Sequence, residues 1–361
     1  MTLSKIKLFK SKYIDLSAHK YFYTLILLLV FLLPLWKKII PYIIILIFLI
    51  WLFEGNFRKK IKILKENYLP FLGFVSIFIL YIVGLLYTSN FNYAYFDLEV
   101  KLSLLFFPII FFTGTYNFIN FNKLSKILLV FILSCFLSSF ISIINSFAQY
   151  LKTGSTDWFF YVYVNYFHHP SYISMYIELS LACIAYLLIN KAIKSKYLRI
   201  LLISISVWFV FYIILLSSKA GFIGLVLIAL IISFQLISIY KNYLVAFYIL
   251  VGLILSIFVG YKIMPKTSNR ISPAIEVIQK KDYDVNTEDG TIQRIEIWKT
   301  SLEIIKKNFI FGVGTGDVKD ALLDEYQHKG MIFAYNKNLN AHGQYFQTAI
   351  ALGIIGLIVL L

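Results

Sequence analysis

The sequence predicts an all-α polytopic membrane protein of about ten transmembrane helices, with a large helical loop before the last span. Three observations carry this. Hydrophobic residues make up 60% of the 361 positions and charged residues only 14%, against roughly 25% charged in a soluble domain. Apolar runs approaching the roughly 20 residues that a bilayer core requires recur along almost the whole chain. Between residues 263 and 342 that pattern lapses, and this stretch alone holds eleven of the eighteen acidic residues.

The elements follow in order. Met1 to Lys20 is basic and precedes an apolar run. A secretory leader would close on a small-residue cleavage site, whereas Pro34, Trp36, Lys37 and Lys38 follow here, so the run reads as an uncleaved first span. Spans are expected near 21–36, 39–53, 68–87, 98–115, 125–148, 171–190, 199–217, 220–239, 243–262 and 343–361. The first two are short enough to form one re-entrant hairpin. This divides the chain into a transmembrane bundle (1–262), a large loop (263–342) and a final span (343–361). The sequence stops at Leu361 inside an apolar run, which suggests that further spans follow in the natural protein.

Charge orients the spans. With the N-terminus inside, the inside loops carry seventeen Lys and Arg residues, among them Lys5, Arg58, Lys60, Lys123, Lys194 and Lys241. The short outside loops carry only Lys37, Lys38, Lys101, Lys152 and Lys219. This asymmetry puts the N-terminus in the cytoplasm and the large loop outside a bacterial inner membrane. The net charge of +16 is thereby accounted for by cytoplasmic loops and anionic lipid. No basic helix or aromatic-basic motif points to nucleic acid. Cys135 and Cys183 lie inside apolar spans, which reads as small core residues and not a disulfide framework.

A loop this long is expected to hold structure of its own. Ser272-Pro273 reads as a helix start. From Thr291 to Asn308, Ile292, Ile295, Trp298, Leu302 and Ile305 recur at helical spacing. Gly312-Val313-Gly314-Thr315-Gly316 ends that helix, and Asp317 starts another through Tyr326. The glycine run lacks a βαβ setting and a following Lys-Ser/Thr, so it reads as a turn and not a nucleotide loop; amides at the next helix start can still meet an anion.

The topology gathers polar residues at the outer face. Lys219 lies in a tight turn between two spans, where it either snorkels to headgroups or binds an anion. Arg294, on the loop helix, is either a solvated face or a bidentate grip on phosphate. His342 opens the last span. His168 and His169 precede Pro170 as helix-entry residues or substrate ligands. Glu178 is an ionisable group inside a span, a functional candidate by default unless it reaches the water boundary. No metal site is legible, since there is no Asp-x-Asp at a span mouth, His-Glu-x-x-His or Cys cluster, and no cofactor is called for. Asp282-Tyr283-Asp284 fits the first pattern only within a polar part of the loop.

Three pieces, in order, carry a resemblance. Ser217-Ser218-Lys219-Ala220-Gly221 is the first. Arg294-Ile295-Glu296-Ile297-Trp298, followed by Asn308-Phe309 and the glycine run, is the second. Ala341-His342-Gly343-Gln344-Tyr345, followed by Gly353 and Gly356, small residues that let a span pack closely on its neighbours, is the third. Residues 205–361 thus resemble the C-terminal half of the O-antigen ligase and polymerase superfamily. Lys219 stands where that family usually has Arg, and Gly343 where its ligase signature has Asn, Ser or Gln, with Gln344 one place later. The resemblance implies a class C glycosyltransferase-like membrane fold. It implies a donor glycan on undecaprenyl pyrophosphate and, for a ligase, a lipid A–core sugar as acceptor. For a polymerase the acceptor is another lipid-linked glycan, and some relatives glycosylate proteins. In that setting His342 is the expected base, with Arg294 and Lys219 on the pyrophosphate and His169, Glu178 and Gln344 as secondary candidates. A lipid or glycan transporter is the rival of another class, disfavoured because no paired repeat is visible.

Overall fold

The computed structural model describes residues 16–114, 119–263, 285–286 and 290–361. Among them every regular element is helical: α1 (Leu16–Leu32), α2 (Ile40–Phe53), α3 (Phe57–Glu66), α4 (Tyr68–Val83), α5 (Phe91–Lys101), α6 (Ser103–Thr113), α7 (Phe121–Thr153), α8 (Pro170–Ile189), α9 (Lys196–Leu216), α10 (Lys219–Ser238), α11 (Tyr243–Ile263), α12 (Gly290–Lys307), α13 (Val318–His328), α14 (Ile332–Asn336) and α15 (Gln344–Leu360). Five described helices are long and apolar enough to cross a membrane: Tyr68–Tyr87, which extends α4, and α7 to α10. The chain is an all-α polytopic membrane protein.

One expected span differs from what is seen, and another, near 39–53, matches its helix but is followed by a sharp bend. The run 98–115 is not one helix: α5 ends at Lys101 and α6 begins at Ser103. The ion pair of Lys101 with Asp97, both largely buried, sits at that break, and a paired charge at a helix end interrupts an otherwise apolar run. Near 39–53, α2 is followed by a 107° bend into α3. The helices of the large loop match their expected limits closely, as Gly290–Lys307 and Val318–His328. The helix start at Ser272-Pro273 and the acidic residues Glu276, Asp282, Asp284, Glu288 and Asp289 lie outside the described residues.

Two compact units divide the described residues. One takes those within Met1–Gly55 and Tyr116–Ser272, the other those within Asn56–Thr115 and Pro273–Leu361. The boundaries expected at 262 and 342 follow the chain, whereas the compact units join α3 to α6 with the loop helices and α15.

In the first unit, α7 turns a serine stripe inward. Ser134, Ser138, Ser142 and Ser146 are buried at four-residue spacing. Ser138 donates to the Pro34 carbonyl at 3.1 Å, Ser142 to Asn165 Oδ1 at 3.1 Å, and Trp208 Nε1 donates to Ser139 at 2.8 Å. Lipid offers no hydrophobic drive between helices, so small residues and hydrogen bonds hold such contacts.

In the second unit, α12 and α13 form an antiparallel hairpin. Lys307 pairs with Glu325, and Lys329 with Glu303 at 2.7 Å. Its core is Ile297, Ile304, Leu322 and Tyr326, packed on Ile350 and Ala351 of α15 and on Ile77 and Tyr81 of α4. Tyr81 meets Thr348 at 3.1 Å, and a Cβ on Gly84 would lie 2.9 Å from Leu352. These contacts ascend together, so α4 and the first half of α15 run the same way where they touch.

The last span is not one straight helix. Gly353 breaks it with φ +63° and ψ −157°, a region essentially confined to glycine. A Cβ on Gly356 would strike Leu352 Cβ and lie 3.2 Å from Thr348 Cγ2. Residues eight apart in a continuous helix are about 12 Å apart, so the chain folds back at Gly353. The exposed carbonyls are satisfied by the preceding loop: Ile350 accepts from Val313 N at 2.8 Å and Ala351 from Gly314 N at 3.0 Å, while Ile354 N donates to Phe309 O at 2.8 Å. Gly353 therefore serves the break itself, where a small residue for helix packing was expected. Gly353→Ala is expected to destabilise the protein by about 1–3 kcal/mol from backbone strain, and further because its Cβ would collide with the Ile310 carbonyl. A thermal unfolding midpoint in detergent checks this against Gly252→Ala, whose Cβ meets nothing within 4 Å.

Candidate functional site

The second unit brings Arg294, His342 and Gln344 to one place. Trp298 of α12 stacks on Phe346 of α15 with ring centroids 5.7 Å apart. Arg294 lies one turn before Trp298 and His342 four residues before Phe346. Arg294 shares a face of α12 with Trp298, and its guanidinium is close enough to act electrostatically on the His342 imidazole, in the turn that precedes α15. Arg294, His342 and Gln344 are all exposed.

His342 has a strained backbone, with φ +49°. Histidine is among the few non-glycine residues enriched in this left-handed region. Its amide donates to Asn340 Oδ1 at 2.9 Å, which fixes the turn that leads into α15. The imidazole is held below the usual histidine range, first by partial burial of the ring and then by the charge of Arg294. At neutral pH it is therefore neutral, with a nitrogen lone pair available to take a proton. Gln344 Nε2 donates to Thr348 Oγ1 at 3.0 Å.

The other three candidates belong to the first unit. Ser217 takes φ +47°, and Ser218 caps α10 by accepting from Gly221 N at 3.3 Å. This sets half-buried Lys219 at the first position of α10. A Cβ on Gly221 would lie 2.7 Å from Ser174 Oγ, and one on Gly224 would collide with the Glu178 carboxylate, so the glycines let α10 close on α8. Glu178 is half-buried inside α8 and its Oε1 has no hydrogen-bond partner. His169 caps α8, its Nδ1 accepting from Ser171 N at 3.4 Å, which is the helix-entry role.

The glycine run is a docking turn. Besides pairing with α15, it places Thr315 Oγ1 on the Tyr81 carbonyl at 2.6 Å and Gly316 N on Thr88 Oγ1 at 2.7 Å. Asp317 accepts from Ser89 N at 2.8 Å and Asn90 N at 2.7 Å. Its carboxylate thus serves the start of α5, although it stands at the N-cap of α13. The amides of Val313, Gly314 and Gly316 are spent on protein acceptors.

Sequence reasoning missed Tyr81, Thr348, Asp97 and Lys101 around Gln344. Tyr81 and Thr348 are 267 positions apart, and each reads as an ordinary residue of an apolar run, so only the fold reveals the pair.

The residues from 204 to 361 match a family model described as O-antigen ligase. No curated protein matches the chain. The matched segment contains Lys219, Arg294, His342 and Gln344, and that family's activity is glycosyl transfer of the ligase or polymerase type on lipid-linked glycans. That match, over rather less than half of the chain, supports the resemblance to the O-antigen ligase and polymerase superfamily.

Proposed function

We propose that this protein is an O-antigen ligase-type glycosyltransferase. It moves a glycan from undecaprenyl pyrophosphate to a lipid A–core sugar at the outer face of the inner membrane. The observation that carries the reading is His342 at the entry to α15, within electrostatic reach of Arg294 on α12. His342 takes the proton of an acceptor hydroxyl as general base. The freed oxygen bonds to the anomeric carbon as the bond from that carbon to the pyrophosphate oxygen breaks, with inversion. The electron pair stays on undecaprenyl pyrophosphate, whose developing charge Arg294 stabilises. No nucleotide is required, because the donor is already activated, and the step uses no metal.

The test is transfer by the purified protein from a lipid-linked donor to an acceptor glycolipid, with excess EDTA present. Product with inverted anomeric configuration is expected. Loss of activity with EDTA and rescue by a divalent ion would overturn the metal-free step. In a deletion strain, loss of all long chains from an intact core fits a ligase. A core bearing a single repeat unit would make the protein a polymerase.

The same reading places the N-terminus in the cytoplasm and the loop helices outside. A membrane-impermeant thiol reagent applied from outside should label Lys152→Cys and not Lys194→Cys; the opposite pattern would invert the orientation.

A further inference from the structure

Next to His342 lies a buried polar chain that the reaction scheme does not use. Lys101 pairs with Asp97 one turn earlier in α5 and sits 4.3 Å from the centre of the Tyr81 ring. Tyr81 and Thr348 are 1% and 0% exposed, and their hydroxyls meet at 3.1 Å. Thr348 Oγ1 also accepts from Gln344 Nε2 at 3.0 Å. The chain begins in a largely buried ion pair and ends in an exposed amide two residues after the candidate base.

Each link has a physical reason. A buried tyrosine hydroxyl needs a partner. Thr348 can offer its oxygen to two donors at once, and a threonine inside a helix would otherwise turn back on its own i−4 carbonyl. The cation over the Tyr81 ring holds that ring in place. An exposed glutamine free to rotate would lose side-chain entropy on engaging a ligand. Here Gln344 is tethered by its nitrogen, so its Oε1 edge stays outward to accept a hydroxyl.

We infer that Tyr81 and Thr348 are positioning residues that hold Gln344 beside His342, and that Gln344 Oε1 accepts a hydrogen bond from a hydroxyl of the sugar acceptor. This rests on the ligase-type reading. Lys101 and Asp97 fix Tyr81 and do not touch the sugar. The donor's pyrophosphate is anionic and offers Oε1 no hydrogen to accept, so Gln344 does not grip the leaving group, and separate donor and acceptor KM values tell which sugar it holds.

The test separates acceptor from donor kinetics in the purified, membrane-reconstituted protein. Tyr81→Phe and Thr348→Val, each nearly isosteric, are expected to raise the acceptor KM about 3- to 10-fold. The donor KM and the acid limb of the pH profile should not move. Gln344→Ala should show the same split, and adding Tyr81→Phe to it should cost no more. Unfolding midpoints in detergent identify any variant that merely fails to fold, and for such a variant Gln344→Ala, at an exposed position, supplies the second measurement. Tyr81→Phe with an unchanged acceptor KM in a folded protein would overturn the inference, as would a full additional loss in the Gln344→Ala background. Full transfer by His342→Ala would instead sink the ligase-type reading, so the two failures are distinguishable.

Discussion

Arg294→Ala is expected to lower kcat/KM for glycan transfer by about 10²- to 10³-fold, the usual loss when one preorganised donor to a developing charge is removed. Arg294→Lys should lose most of this activity as well. It keeps the charge but gives up the planar fork that grips two phosphate oxygens at once. The pH profile separates the two variants. The guanidinium pushes His342 below the usual histidine range, second only to partial burial of the ring. Removing the charge should let the imidazole rise toward 6.5, its ordinary value, so the acid limb of Arg294→Ala should move to higher pH. Arg294→Lys should leave that limb in place. A near-normal rate for Arg294→Ala, with an unmoved limb, would reduce Arg294 to an ordinary helix surface.

The parts of this architecture that were legible in the sequence are those governed by local pattern. Thr291 to Asn308 carries a helical period and ends at a glycine run, and the helix found is Gly290–Lys307. Asp317 before Val318 reads as a helix start for the same local reason. What failed to show depends on contacts between distant segments. The run 98–115 is apolar enough to look like one span, and only the inward pairing of Lys101 with Asp97 and its place over Tyr81 reveal the break. Gly353 reads as a packing residue, because sequence gives no hint that a loop backbone lies where its Cβ would be. The candidate site residues could be named from type alone, as the base and cations that an activated lipid-linked donor would require. The nearness of Arg294 to His342 could not, because it depends on the packing of α12 on α15, almost fifty positions apart in sequence.

His342→Ala should leave the protein folded and lower transfer by about 10²- to 10⁴-fold, the range typical of a positioned general base. The backbone complicates a simple alanine test. His342 sits at φ +49°, where alanine is strained and asparagine is tolerated. His342→Asn is therefore the cleaner variant for the fold, and it should be about as inactive, since its amide cannot take up the proton. His342→Gln, which also hydrogen-bonds without a titratable nitrogen, should fall in the same range. The sign of the pH dependence follows from the protonation state. The neutral imidazole is the active form, and its pKa lies below the ordinary 6.5. Transfer by the wild type should therefore be level at pH 7 and fall only as the pH drops through that lowered value. The variants should lose this limb, because no titrating base remains. The position favours the role, since the stack of Trp298 on Phe346 fixes the start of α15 and a fixed base needs less reorganisation than one on a free loop. Normal turnover by His342→Gln with an unchanged pH profile would remove histidine from the chemistry. The search for the base would then move to Glu178, whose buried Oε1 lacks a partner, and to His169 at the start of α8.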